Sequence, residues 1–197
     1  MSIFLNMSKC GKIIVITGPM RSGKSDRIIE IITRYSIAKK SIIIFKPEQD
    51  TRDKKAIISR NGNTYCKNIY SISSSSDIKK FVNELIPYPN LVTIDECHFL
   101  DDNLWEVANF LANNGIDVVI SGLDMSYLGK PYPVTSFCMG IADKVFKLKA
   151  ICSKTLKNNA THTFFKSNES GEHIAGGDDL YEPRSRKSWM RSQKEKT

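Results

Sequence analysis

KIIVITGPMRSGKSDRIIEIITRY, residues 12–35, decides the fold. Its opening, residues 12–17, is a short, mainly β-branched apolar run, the pattern of a strand buried on both faces of a sheet. Its end places Ile28, Ile31, Ile32 and Tyr35 at i, i+3, i+4 and i+7, one stripe of an amphipathic helix that begins near Asp26. Between them GPMRSGKS, Gly18–Ser25, fits G-x-x-x-x-G-K-[ST] in the strand-before, helix-after setting that phosphate binding needs. Glycines let the backbone curl, so that successive N–H groups and the helix N-terminus face a polyphosphate. Gly18, Pro19, Met20, Arg21, Ser22 and Gly23 then form the cradle. Lys24 supplies charge to the β- and γ-phosphates, and Ser25 supplies a hydroxyl to magnesium.

Outward from this segment the same alternation repeats. Buried strands are expected at 41–47, 91–94, 117–121 and 144–149. Helices are expected near 78–86, with Ser76 or Asp77 as N-cap, near 102–113, closed by Asn114 and Gly115, and near 136–142. Strands alternating with helices imply right-handed crossovers and a mainly parallel sheet flanked by helices, an α/β architecture of the P-loop type. Past Cys152 the pattern breaks into short pieces rich in Asn, Gly and Thr. The chain therefore divides into an ATP-binding α/β domain at 1–150, a small irregular subdomain at 151–189 and a flexible basic tail at 190–197.

Composition narrows the ligand class. With 197 residues, 41% hydrophobic and 25% charged, the chain is long enough for one good core. No apolar run approaches the roughly 20 residues that span a bilayer. Ile3–Leu5 is too short for a leader core, so the expected compartment is the cytoplasm. The five cysteines are scattered and never spaced C-x-x-C, which argues against a disulfide framework. The net charge of +8 suits polyanionic ligands, nucleotides or nucleic acid alike. The excess after Pro183, from Arg184 to Lys196, reads as a solvated terminus. No face interleaves aromatic with basic residues, which disfavours nucleic acid as a partner.

The strand LVTI, 91–94, runs straight into Asp95 and Glu96. A carboxylate at the carboxyl end of a buried strand, beside a phosphate loop, sits where magnesium is anchored, and Asp95 takes that role. Glu96, pointing the opposite way on an extended backbone, is the candidate general base. His98 has no second histidine at ligand spacing and reads as a hydrogen-bonding or positioning residue. Phe99 is equally suited to stacking on a base and to packing in the core.

With these residues in hand, the chain resembles the type II thymidine kinase family. The matching pieces occur in order: GKIIVITGPMRSGKS at 11–25, FKPEQDTRD at 45–53, IDECHF at 94–99, SGLDMSYLGKPY at 121–132, IADKVFKLKAIC at 141–152 and HIAGGDDLY at 173–181. The resemblance implies ATP- and magnesium-dependent phosphorylation of the 5′-hydroxyl of thymidine, with deoxyuridine as a second substrate, in deoxynucleoside salvage for DNA synthesis. It implies Glu96 as the base, Asp95 and His98 at the nucleotide and magnesium site, and Arg52 near the phosphates. It also implies a thymine pocket walled by Met20, Phe99, Leu123, Tyr127 and Tyr132. A lasso loop carrying Thr163, Ile174, Gly176 and Tyr181 would close over the nucleoside, and the assembly would be a homotetramer.

The chain departs from that family at two places. Four cysteines in two C-x-x-C pairs hold one zinc there. Here the corresponding positions are Cys152, Thr155, Ser185 and Ser188, so only Cys152 remains and no zinc is expected. Arg21 replaces an aromatic or small residue and is expected to face solvent. The alternatives are a P-loop ATPase acting on nucleic acid and a nucleotide-binding protein that has lost catalysis.

Overall fold

The computed structural model describes residues 9–50, 55–167 and 180–194, so Arg52, Ile174 and Gly176 lie outside the described residues. In chain order the elements are β1 (Ile13–Thr17), α1 (Lys24–Ile37), β2 (Ile42–Pro47), β3 (Ile57–Ile58), β4 (Thr64–Tyr65), β5 (Ile69–Ile72) and α2 (Ser75–Asn83). They continue with β6 (Leu91–Ile94), a 3-10 turn (Cys97–Phe99), α3 (Leu104–Asn113), β7 (Asp117–Gly122), α4 (Pro133–Ile141) and β8 (Lys144–Lys147). A small unit follows, made of β9 (Ala150–Ile151), β10 (Asn158–Ala160), β11 (His162–Phe165), β12 (Tyr181–Arg184) and α5 (Arg186–Lys194).

The main sheet has the order β5-β2-β6-β7-β1-β8, and all of its strand pairs are parallel. This is the α/β architecture that the alternation predicts. Period-2 geometry sends alternate side chains to opposite faces. Ile13 and Val15 of β1 therefore join the layer under α2, α3 and α4, with Phe45, Ile94, Leu104 and Leu111. Ile16 joins the layer under α1, with Ile28, Ile32, Ile44 and Val119. Both Ile28 and Ile32 are fully buried, and truncating either to Ala would cost about 2–5 kcal/mol.

Several elements differ from expectation. β5, IYSI, was not foreseen as a strand; it is the sheet edge, with Tyr70 and Ser71 exposed, and so lacks the continuous apolar run of a central strand. α2 begins at Ser75 and is capped by Ser74, because the Asp77 carboxylate accepts the backbone N–H groups of Ser73 (3.2 Å) and Ser74 (3.0 Å). Asp77 is thus the third helical residue of a capping box. α4 starts at Pro133, whose fixed φ and missing N–H suit the first position of a helix. The basic stretch expected as a flexible tail is helical through Lys194. α5 packs through Trp189, whose indole N–H donates to the Tyr127 carbonyl (3.0 Å) and whose ring lies 4.9 Å from His162. Among the described residues no helix is long and apolar enough to cross a membrane.

Candidate active site

β1 and β6 both pair with β7, in parallel, from either side. The register sets Thr17 beside Gly122 and Ile94 beside Ile120, so the phosphate loop and the Asp95–Glu96 pair leave the same end of the sheet. Two strand spacings, roughly 10 Å, separate their origins. β7 ties the two together. The Ser121 hydroxyl donates to Asp95 Oδ1 (2.6 Å), and the Thr17 hydroxyl donates to the Gly122 carbonyl (2.9 Å). Ser121 was not singled out in the sequence; its only signal is a small polar residue ending an apolar strand.

The loop has the backbone its glycines permit. Gly18 has φ 143° and Gly23, the N-cap of α1, has φ 85°, both in the left-handed region that favours glycine. A side chain on Gly18 would also lie 2.5 Å from the Leu148 carbonyl oxygen. Lys24 is buried, and its ammonium donates to the carbonyls of Gly18 (3.2 Å) and Pro19 (3.0 Å). The Ser22 hydroxyl oxygen is buried without a hydrogen-bond partner among the described residues. An orphaned hydroxyl is costly unless a ligand completes it, and a phosphate oxygen is the acceptor such a loop takes. Ser25 sits on the first turn of α1, and Arg21, at φ 62°, is exposed.

Past β6 the chain turns sharply. Glu96 was expected on extended backbone, but it has φ 51° and ψ 42° and caps the 3-10 turn. A non-glycine residue held there costs on the order of 1–3 kcal/mol, a strain that clusters at working sites. Asp95 and Glu96 are 5% and 8% exposed. His98 Nδ1 accepts the Leu123 N–H (3.3 Å) and lies 3.4 Å from Glu96 Oε2. The His98 ring packs against Phe99 (4.2 Å between centroids) and Tyr132 (5.1 Å). Gly122 makes this turn possible, since a Cβ there would meet Cys97 Sγ at 2.6 Å and the His98 nitrogen at 3.2 Å.

The expected nucleoside residues fall into two groups. Phe99, Leu123 and Tyr132 gather around His98, next to Glu96. Tyr127 and Tyr181 instead join Phe165, with Tyr127–Phe165 centroids 5.1 Å apart and Phe165–Tyr181 centroids 5.0 Å apart. Burial raises the Tyr181 phenol to about 12, so it stays a neutral donor at working pH. Met20 and Thr163 connect the small unit to the phosphate loop, the Met20 N–H donating to Thr163 Oγ1 (3.1 Å). At the end of β2, Lys46 forms an almost fully buried ion pair with Asp50 (3.0 Å) and also donates to the Ala56 carbonyl (3.1 Å). That pair ties the end of β2 to Ala56; its only mark in the sequence is opposite charges four residues apart.

The sequence matches a known family over nearly its whole length. A family model described as thymidine kinase matches residues 11–189. A thymidine kinase of Mycoplasma mobile is 37% identical over 187 residues, covering 94% of this chain and 90% of that relative. One from Onion yellows phytoplasma is 38% identical over 184 residues, covering 90% and 86%. One from Bacteroides fragilis is 37% identical over 188 residues, covering 94% and 90%.

Proposed function

The chain belongs to the thymidine kinase family, and on that premise we propose that it transfers the γ-phosphoryl group of ATP to the 5′-hydroxyl of thymidine, with Glu96 as general base. The observation that carries this reading is the shared sheet end. The loop holding Lys24 and the turn holding Glu96 flank one strand, close enough for one substrate pair to bridge them.

Phosphoryl transfer depends mainly on positioning and charge neutralisation. The amides of Gly18–Ser25 and the Lys24 ammonium bind and orient the polyphosphate. To do so, Lys24 exchanges the carbonyls of Gly18 and Pro19 for phosphate oxygens. Ser25 and Asp95 would hold magnesium, which neutralises charge on the β- and γ-phosphates; the buried Asp95 carboxylate, steadied by Ser121, suits that hard cation. The nucleoside lies between His98, Phe99, Leu123 and Tyr132 on one side and the small unit on the other. Glu96 accepts the 5′-hydroxyl proton as the new oxygen–phosphorus bond forms and the bond to the bridging oxygen of ADP breaks. The strained Glu96 backbone, together with His98 beside its carboxylate, fixes where that proton goes.

By resemblance, Arg52 serves the phosphates, while Ile174 and Gly176 belong to the loop over the nucleoside. Deoxyuridine, lacking only the methyl, is the second substrate, the enzyme works in the cytoplasm, and it assembles as a homotetramer. The test is ADP formation from ATP across thymidine, deoxyuridine and the other deoxynucleosides, with and without magnesium. Release confined to thymidine and deoxyuridine, and dependent on magnesium, is the expected profile. Steady ATP turnover without any nucleoside would overturn the proposal.

A further inference from the structure

The zinc-ligand positions of the resembled family are occupied here by Cys152, Thr155, Ser185 and Ser188. One soft thiol with three neutral hydroxyls does not suit structural zinc, which takes thiolate and imidazole. Among the described residues there is no group of three or more His, Cys, Asp or Glu able to hold a metal ion. These four residues nevertheless come together, linked by hydrogen bonds from hydroxyl and backbone N–H groups.

The hub is Cys152, fully buried in a small cluster with Ala150 and Ala160. Its Sγ accepts the Ser185 N–H at 3.2 Å, and the Thr155 hydroxyl and the N–H groups of Lys154 and Thr155 also bond to it. Ser185 Oγ in turn accepts the Ser188 N–H (3.3 Å). Ser188 Oγ accepts from Arg184 Nη1 (3.1 Å), which also donates to Ser192 Oγ (3.1 Å). Arg184, 4% exposed, completes its fork on the Glu182 carboxylate through Nε (2.8 Å) and stacks over Phe164, 4.8 Å to the ring centroid. Sulfur, hydroxyls and guanidinium thus join the end of β9, the end of β12 and the first two turns of α5.

That junction is the base of a hairpin. His162 and Thr163 of β11 pair with Arg184 and Pro183 of β12, and the Ser153 N–H donates to the Pro183 carbonyl (2.9 Å). Thr163 is also the residue whose hydroxyl accepts from the phosphate loop at Met20. Whatever fixes β12 therefore fixes the contact between the small unit and the ATP cradle.

We propose that Cys152 and Arg184 form a metal-free clasp that takes the structural place of zinc and holds the β11–β12 hairpin against the phosphate loop. Neither residue touches substrate; both are positioning residues. The link from clasp to nucleoside affinity rests on the thymidine kinase reading, whereas the metal-free clasp does not.

The test uses the purified full chain, expressed with zinc in the medium. Metal analysis should find substoichiometric zinc, and the melting temperature should not change with EDTA. Arg184→Met, which keeps the apolar stem and removes the donors, should lower the melting temperature. It should also raise the thymidine KM by about tenfold, the scale of one lost charge-assisted hydrogen bond. The KM for ATP and kcat should move much less, and Arg184→Lys should recover part of the loss. Stoichiometric zinc, or a chelator-induced fall in melting temperature, would overturn the clasp, as would Arg184→Met with wild-type melting and thymidine KM. If Arg184→Met does not fold, the wild-type zinc and chelator measurements still decide. They also decide if the chain has no kinase activity, so failure of the clasp and failure of the functional reading remain separable.

Discussion

Ser121 donates its hydroxyl to Asp95 across the β6–β7 pair, with 2.6 Å between oxygens, and both residues are buried. The bond fixes one carboxylate oxygen, and with it the direction of the acid that the proposed mechanism gives to magnesium. Replacing Ser121 with Ala removes the donor but keeps the strand. The expected result is a raised magnesium requirement and an ATP kcat/KM lowered by about tenfold, with stability lowered by about 1 kcal/mol. Initial rates over a magnesium titration check this.

Gly122→Ala should damage the site more than the fold. Its Cβ would press on Cys97 Sγ and on the His98 amide, pushing the turn that carries Glu96. Overpacking of this kind costs about 1–3 kcal/mol. We expect kcat to fall steeply while the far-ultraviolet circular dichroism stays native. Adding Cys97→Ala, which removes the closest clash, should recover part of the rate.

The Lys46–Asp50 pair is a different kind of test, because both charges are almost completely out of water. Lys46→Met breaks this buried pair, a defect worth about 3–5 kcal/mol. Urea denaturation should show that loss. The double variant Lys46→Met/Asp50→Asn should be less destabilised than Lys46→Met alone.

The clasp also predicts a pH dependence. Burial pushes the Cys152 thiol up, but the Thr155 hydroxyl and the amides of Ser185, Lys154 and Thr155 together outweigh it and bring the thiol down to about 6, from 9.0. A group depressed on folding stabilises the folded state above its unfolded value and loses that contribution as pH falls through its folded value. Stability should therefore rise between pH 6 and pH 9 through this thiol, with the contribution gone below 6. Cys152→Ser should flatten that part of the curve, measured as the wild-type minus variant difference in melting temperature.

The sheet was legible where strands are buried on both faces: residues 13–16, 42–45 and 118–120 are continuous apolar runs, and 91–94 departs from one only at Thr93. The phosphate loop was legible because its glycines and its lysine stand at fixed spacing between a strand and a helix. Half-exposed elements were not. β5 shows Tyr and Ser to solvent, and α5 is held by Trp189 and by Arg184 bonding to Ser188 and Ser192, with no apolar stripe to read. The backbone of Glu96 was misjudged because a bond-level turn leaves no mark in periodicity. The hydroxyl network around Cys152 joins residues more than thirty positions apart, which spacing alone does not bring together.

The account stands most directly on Glu96 as the base. Glu96→Gln keeps the shape of the side chain and removes its capacity to take a proton. With thymidine and ATP at saturation, kcat should fall by about 10²–10⁴-fold, the usual contribution of a positioned general base, while the dissociation constant for a non-hydrolysable ATP analogue stays at its wild-type value. A Glu96→Gln variant that phosphorylates thymidine at the wild-type rate would contradict it.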